Sequence, residues 1–185
     1  MMRRIDRSKA LLAVIDVQEK FAGVIDGFDA VRRNVERLIR GCHILGVPLA
    51  MTEQYPKGLG ETVAELKTTL DETYAAKPVQ KMCFSGQACG EFAEQLISAG
   101  RKQILLAGIE THVCIWQTAI DLLDAGYEVF IVADAVSSRT AQNREIALRR
   151  LEAEGAKLTS TEMVLFEMTV EAGTDEFRAI SKLVK

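Results

Sequence analysis

Residues 10–16 read Ala-Leu-Leu-Ala-Val-Ile-Asp, an apolar run that ends in a carboxylate. A continuous apolar run of this length predicts a strand buried on both faces, as in a parallel sheet. Five more runs of strand length follow along the chain, at residues 47–51, 79–82, 104–107, 129–133 and 157–159. Helix-like segments lie at 29–45, 91–99, 113–123 and 141–153, and two further helical segments end the chain. This alternation predicts an α/β fold in which helices cover both faces of a parallel sheet.

The chain of 185 residues has the length of one domain, and no linker-like segment or internal repeat divides it. We therefore expect one domain over residues 1–185. The formal net charge of −3 supplies no basic field for nucleic acid, and no apolar run approaches the ~20 residues of a membrane-spanning helix. The cysteines form no CxxC pair, and the first apolar run is too short for a signal peptide. These features predict a cytoplasmic protein that binds neither nucleic acid nor membrane.

Three reactive side chains follow predicted strands. Asp16 follows the first strand, Lys81 ends the third, and Cys114 lies beyond the fourth, near the first turn of a predicted helix. Taken singly, each is more often structural, because aspartates cap turns, lysines are solvated and cysteines pack as small apolar residues. In an open parallel sheet, however, the carboxyl ends of the strands meet at one edge, where ligands bind. The shared edge favours a common site.

These residue types suit nucleophilic catalysis by a thiol. A cysteine attacks as the thiolate, so it needs a base and nearby positive charge. Asp16 can take the proton and return it to the leaving group, and Lys81 can hold Asp16 and stabilise negative charge. Backbone N–H groups at the start of the helix that carries Cys114 can stabilise the thiolate and receive the oxyanion of a tetrahedral intermediate.

Three separated motifs resemble the isochorismatase-like cysteine hydrolases, a superfamily that includes nicotinamidase and N-carbamoylsarcosine amidase. They are Leu-Ala-Val-Ile-Asp-Val-Gln at 12–18, Lys81, and Gly-Ile-Glu-Thr-His-Val-Cys at 108–114. The segments Asp-Val-Gln-Glu-Lys-Phe at 16–21 and Thr-Glu-Gln-Tyr-Pro-Lys-Gly-Leu-Gly at 52–60 resemble the isochorismatase-domain-containing subgroup most closely. The resemblance covers the whole chain.

This resemblance implies a three-layer αβα sandwich around a six-stranded parallel sheet of order 3-2-1-4-5-6. It also implies a catalytic triad of Asp16, Lys81 and Cys114. A cis peptide is implied before Glu110, and the backbone N–H groups of Glu110 and Cys114 would then form the oxyanion hole. Relatives are commonly oligomeric, so the resemblance further implies a homo-oligomer.

The metal site of the nicotinamidases has no counterpart here, because the loop after the second strand contains no histidine and the chain has only His43 and His112. We expect no metal, no cofactor and a small-molecule substrate. The side chains expected to bind that substrate follow the first four strands; they are Gln18, Phe21, Gln54, Tyr55, Phe84 and Thr111.

The presence of Cys114 favours hydrolysis of a C–N bond in a small amide, imide or carbamoyl compound through a thioacyl-enzyme. Three alternatives stay open: vinyl ether hydrolysis driven by Asp16, a binding or interaction protein without catalysis, and a thiol redox sensor that uses Cys83 and Cys114. His112 is disfavoured as a rival base, because residues two apart on a helix face different ways. We expect the Glu110 carboxylate to point away from Cys114, since a negative charge there opposes thiolate formation.

Overall fold

The computed structural model describes residues 4–185, so the first three residues of the predicted domain lie outside the described residues. Six strands form one sheet in the order β3-β2-β1-β4-β5-β6, and every neighbouring pair is parallel. The strands are β1 (Ala10–Ile15), β2 (Leu49–Gln54), β3 (Val79–Lys81), β4 (Gln103–Ile109), β5 (Glu128–Ser137) and β6 (Lys157–Thr159). The expected fold class and strand order are confirmed.

Eight α-helices lie among residues 4–185: α1 (Phe28–Ile44), α2 (Pro56–Leu59), α3 (Ala64–Glu72), α4 (Gly90–Ala99), α5 (Trp116–Asp124), α6 (Ala141–Ala153), α7 (Thr161–Thr169) and α8 (Asp175–Val184). A 3-10 turn, Glu19–Phe21, follows β1, and a π-helical turn, Thr111–Ile115, precedes α5. The helices α2 and α3 are absent from the sequence-based prediction. The first contains Pro56 and Gly58, residues typical of turns, and the second is mostly polar.

The core has two layers because successive residues of β1 point to opposite faces of the sheet. Leu11, Ala13 and Ile15 pack with residues of α4, α5 and α6. The alternate residues of the same strand pack with α1, α3, α7 and α8. All of β1 and β4 is buried, as the continuous apolar runs predict.

One close contact between β1 and β4 determines the geometry of the sheet edge. Gly108 pairs with Ile15 and has a φ of +116°, where a Cβ would lie 2.0 Å from the Ile15 carbonyl oxygen. Only glycine tolerates both conditions. The end of β4 therefore comes close to the end of β1, and the residues after Gly108 start beside Asp16.

Candidate active site

Asp16 and Lys81 form an ion pair whose side chains have no exposed surface. Lys81 Nζ lies 2.7 Å from Asp16 Oδ2, with both side chains 0% exposed. Thr52 donates a hydrogen bond of 2.8 Å to the other carboxylate oxygen. Burial raises the pKa of Asp16 above its ordinary value, although Lys81 and Thr52 oppose that rise. A carboxylate with a raised pKa is a stronger base than an exposed one.

The Lys81 ammonium is held by acceptors from the end of β2 and from the loop after β3. Besides Asp16, it donates to Gln54 Oε1 at 2.7 Å and to the carbonyls of Cys83 and Phe84 at 3.2 and 3.0 Å. A buried charge is stable when it is both paired and hydrogen-bonded in this way. The loop after β3 therefore wraps around the cation and fixes its position beside Asp16.

Cys114 lies in the π-helical turn and is only 6% exposed. Asp16 and Lys81 are both close enough to its thiol to affect the pKa of Cys114. Burial and the negative charge of Asp16 raise the pKa of Cys114 to about 12, with Lys81 opposing them. The thiol is therefore neutral at pH 7, whereas its position near a helix start predicts a stabilised thiolate. Desolvation is the largest cause of this rise and favours the neutral thiol, so any reaction of the thiolate would require a base.

The peptide bond between Ile109 and Glu110 is cis, as the resemblance implies. The Glu110 carboxylate binds Arg139: Oε1 accepts from Nη2 at 2.6 Å, and Oε2 accepts from Nε at 3.1 Å and from the backbone N–H at 3.0 Å. The sequence-based expectation that this carboxylate is engaged away from Cys114 agrees with these bonds. Arg139 was not among the predicted site residues; the sequence places residues 134–139 at this sheet edge and predicts turn and cap hydrogen bonds for the segment.

His112 lies beside Glu110 and Ser138. Its Nδ1 lies 3.0 Å from Ser138 Oγ and 4.0 Å from Glu110 Oε2. The contacts of His112 Nδ1 are thus with Ser138 and Glu110, whereas the carboxylate that influences the pKa of Cys114 is Asp16.

Gln18 and Gln54, two of the expected substrate contacts, are buried and bonded within the protein. Gln18 donates to the carbonyls of Gln54 and Gly60 and accepts from the backbone N–H of Gln54. Gln54 donates to the Met82 carbonyl and accepts from Lys81. Because both ends of each amide are engaged, these side chains hold the loops after β1, β2 and β3 together.

The other expected substrate contacts differ in exposure. Tyr55 and Phe84 are exposed, at 46% and 52%, on the loops after β2 and β3. Phe21 is half-buried and packs against the apolar core. Thr111 is fully buried, and its hydroxyl has no hydrogen-bond partner among the described residues. A buried hydroxyl without a partner is costly, so Thr111 stands apart from the other expected contacts.

Over residues 4–185, no group of three or more His, Cys, Asp or Glu side chains is arranged to hold a metal ion.

Comparisons with known proteins agree with the fold. The family model for the isochorismatase domain matches residues 9–163. A secreted isochorismatase effector, Isc1, from Phytophthora sojae is 41% identical over 184 residues, covering 98% of this chain and 87% of that protein. Isochorismatase domain-containing protein 2 from Danio rerio is 41% identical over 181 residues, covering 98% and 89%.

Two solved structures have similar folds. The MAR1 ribonuclease from Caenorhabditis elegans has a TM-score of 0.89 and 38% identity, with 98% of this chain and 92% of that chain covered. The YcaC gene product from Escherichia coli, described as an octameric hydrolase of unknown specificity, has a TM-score of 0.90 and 22% identity, with 99% and 91% covered. At that identity the second likeness concerns the fold alone. No helix within residues 4–185 has the length and apolarity to cross a membrane.

Proposed function

This chain belongs to the isochorismatase family, and we propose that it is a cysteine hydrolase that cleaves a C–N bond of a small amide, imide or carbamoyl compound. Asp16, Lys81 and Cys114 carry this proposal, because a buried base and a buried cation are bonded to each other and both influence the pKa of the Cys114 thiol. Such a group supplies what a thiol needs to attack a carbonyl.

In the first half of the reaction, Cys114 Sγ attacks the carbonyl carbon as Asp16 takes the thiol proton. An S–C bond forms and the carbonyl oxygen becomes an oxyanion. Asp16 then gives the proton to the departing nitrogen as the C–N bond breaks, which leaves a thioacyl-enzyme. The raised pKa of Asp16 suits both steps, because it brings the proton affinity of the base closer to that of the thiol.

In the second half, Asp16 takes a proton from water, and the water oxygen attacks the thioacyl carbon. The S–C bond breaks, the acyl group leaves as the acid, and Asp16 gives its proton to the departing sulfur, which restores the thiol and the carboxylate. Lys81 stays in place through both halves, since its four hydrogen bonds include only one to Asp16. It limits the negative charge that builds up when Asp16 and the reacting sulfur are close together.

We assign the oxyanion hole to the backbone N–H groups of Glu110 and Cys114. The Glu110 carbonyl accepts hydrogen bonds from the N–H groups of Val113 and Ile115, both at 3.1 Å. These bonds hold the turn on either side of Cys114. A fixed pair of N–H donors is worth a factor of about 10²–10³ in rate per donor at such sites.

The substrate is proposed to be small, because Cys114 is nearly covered and the exposed rings of Tyr55 and Phe84 stand on neighbouring loops. Thr111 would bond a polar group of the substrate, and Phe21 would add apolar contact. Gln18 and Gln54 would act indirectly, through the loops and through Lys81.

We also propose self-assembly in the cytoplasm. Tyr55, Met82 and Phe84 expose apolar surface on neighbouring loops, and one protein of the same fold is described as octameric. All four cysteines are unpaired, as expected in a reducing compartment. Light scattering of the purified chain tests the assembly; a monomer at micromolar concentration would contradict it.

A screen of small amides, ureides and carbamoyl compounds, followed by ammonia or carboxylate release, tests the reaction. Cys114→Ala should abolish turnover of any hit and remove the covalent adduct from the intact mass. Cys83→Ala is the matched control, because Cys83 is a thiol whose contact with the site is through its backbone carbonyl. Unchanged turnover in Cys114→Ala would exclude the thioacyl route.

A further inference from the structure

We propose that Arg139 and Glu110 form a positioning pair that sets the orientation of the oxyanion hole. Glu110 has two functions in this arrangement: its backbone N–H belongs to the proposed hole, and its side chain is held by Arg139. The inference rests on the proposed function, since an oxyanion hole matters only if Cys114 attacks a carbonyl.

The contact between the two side chains is directional. Arg139 makes three hydrogen bonds to the two carboxylate oxygens, two from its guanidinium and one from its backbone N–H. Charge-assisted pairs with this two-point geometry fix orientation as well as distance. The carboxylate is 5% exposed, whereas the Arg139 side chain is 57% exposed, so the arginine covers Glu110 from the solvent side.

The segment that carries Arg139 is itself held on several sides. Ser137 donates to the Asp26 carbonyl at 2.6 Å, and the Asp26 backbone N–H donates to the Ser138 carbonyl at 3.0 Å. Beyond Arg139, the Thr140 hydroxyl caps α6 by accepting from the Asn143 N–H. The guanidinium is thus attached to a fixed backbone, and Glu110 is held relative to it.

Glu110 has little freedom once these contacts form. Its backbone follows Gly108, which packs against the Ile15 carbonyl, and its carbonyl is bonded to the turn that carries Cys114. The side-chain contact with Arg139 adds a third point of attachment. Loss of that point lets the Glu110 peptide move relative to Cys114, and a misplacement of about 1 Å can cost about a hundredfold in rate.

Two reagents separate an oxyanion effect from a general structural effect. With 4-nitrophenyl acetate, Cys114 attacks the ester carbonyl, an oxyanion forms, the C–O bond breaks, 4-nitrophenolate leaves and Asp16 takes the thiol proton. With iodoacetamide, the sulfur displaces iodide from a CH₂ group and the thiol proton again goes to Asp16, but no oxyanion forms. Only acylation should need a correctly oriented Glu110 N–H.

Arg139→Met should lower the rate of Cys114 acylation about 10- to 100-fold while the alkylation rate stays within about threefold of wild type. The acylation rate of Arg139→Lys should lie between the rates of wild type and Arg139→Met, because one ammonium cannot reproduce the two guanidinium bonds. Arg149→Met is the matched control, an exposed arginine on α6, and should leave both rates unchanged. Intact-mass and peptide mapping identify Cys114 as the modified thiol.

Equal losses in acylation and alkylation, or an unchanged acylation rate, would overturn the positioning role. If Arg139→Met is unfolded at the assay temperature, the ratio of the two rates in Arg139→Lys decides the same question. A wild-type chain in which neither reagent modifies Cys114 would instead remove the proposed function, and the positioning role with it. The two failures are therefore distinguishable.

Discussion

The candidate site contains two carboxylate–cation pairs with nearly equal N···O distances. The pKa of the carboxyl group is raised in one pair and lowered in the other. Lys81 Nζ lies 2.7 Å from Asp16, and Arg139 Nη2 lies 2.6 Å from Glu110. Both Asp16 and Lys81 are buried, so desolvation raises the pKa of Asp16 in spite of its partner. Desolvation also acts on Glu110, but its bonds to the half-exposed Arg139 outweigh it and lower the pKa of Glu110.

This difference separates two tasks at one sheet edge. Asp16 is placed where it can hold a proton during catalysis, whereas Glu110 stays charged and can serve as an anchor for Arg139. The N···O distance is nearly the same in both pairs, so it does not explain the difference in pKa. The extent of burial, and hence of desolvation, explains it.

Breaking the buried pair of Asp16 and Lys81 should have the largest effect, a loss of stability. Lys81→Met leaves the Asp16 carboxylate without its cation, which should lower the free energy of unfolding by about 3–5 kcal/mol at pH 7. The double variant Asp16→Asn with Lys81→Met should regain part of this loss, because no unpaired charge remains. Urea unfolding followed by circular dichroism measures both.

For that experiment Arg149→Met serves as the control and should stay within about 0.5 kcal/mol of wild type, as an exposed substitution. A Lys81→Met variant as stable as this control would show that the buried pair contributes no more than an exposed residue. Burial would then not explain the difference between the two pairs.

The next effect is a difference in pH dependence. Asp16 has a raised pKa, so its contribution to stability is present below the ordinary value of 3.8 and is lost as the pH rises towards its higher pKa in the folded protein. Glu110 has a lowered pKa, so its contribution is present above the ordinary value of 4.5 and is lost as the pH falls through its lower pKa in the folded protein. The contributions of Asp16 and Glu110 to the free energy of unfolding therefore change with pH in opposite directions.

Unfolding free energies of wild type, Asp16→Asn and Glu110→Gln between pH 3 and pH 7 measure these slopes. The difference between wild type and Asp16→Asn should shrink with rising pH, and that between wild type and Glu110→Gln should grow. Each slope is at most about 1.4 kcal/mol per pH unit, the value for one proton. Slopes of the same sign would contradict the assignment of raised and lowered pKa values.

The smallest effect is a difference in salt dependence. Arg139 is more than half exposed, so 1 M NaCl should reduce the destabilisation caused by Arg139→Met by a few tenths of a kcal/mol. The destabilisation caused by Lys81→Met should change less, because solvent ions do not reach the buried pair. Unfolding at low and high salt measures both, and a stronger salt response for Lys81→Met would reverse the comparison.

Most of the sheet was predictable because apolar runs mark buried strands. The bounds of β1, α6 and β6 match the prediction, whereas β4 and β5 run further, to Ile109 and Ser137. Their additional residues include Gly108 and Asp134, which interrupt a purely apolar pattern. The start of α5 is shifted by the π-helical turn, a feature that the spacing of apolar residues does not reveal.

The site was predictable only in part. Asp16, Lys81 and Cys114 stand next to recognisable strand ends, and the structure brings them together. Gln18 and Gln54 look like substrate contacts in the sequence but are bonded to the protein. The role of Arg139 could not be inferred, because its partner Glu110 lies 29 residues away and the contact depends on how the loop after β5 folds.

The sequence by itself determined the α/β fold class and the residue types at the carboxyl ends of the strands, since apolar periodicity marks buried parallel strands. The order of the strands came from the family resemblance. Only the tertiary structure decided their protonation. The pKa of Cys114 rises to about 12 and that of Asp16 rises as well because packing removes water around them. Desolvation depends on every neighbouring element at once, and no local pattern in the sequence records it.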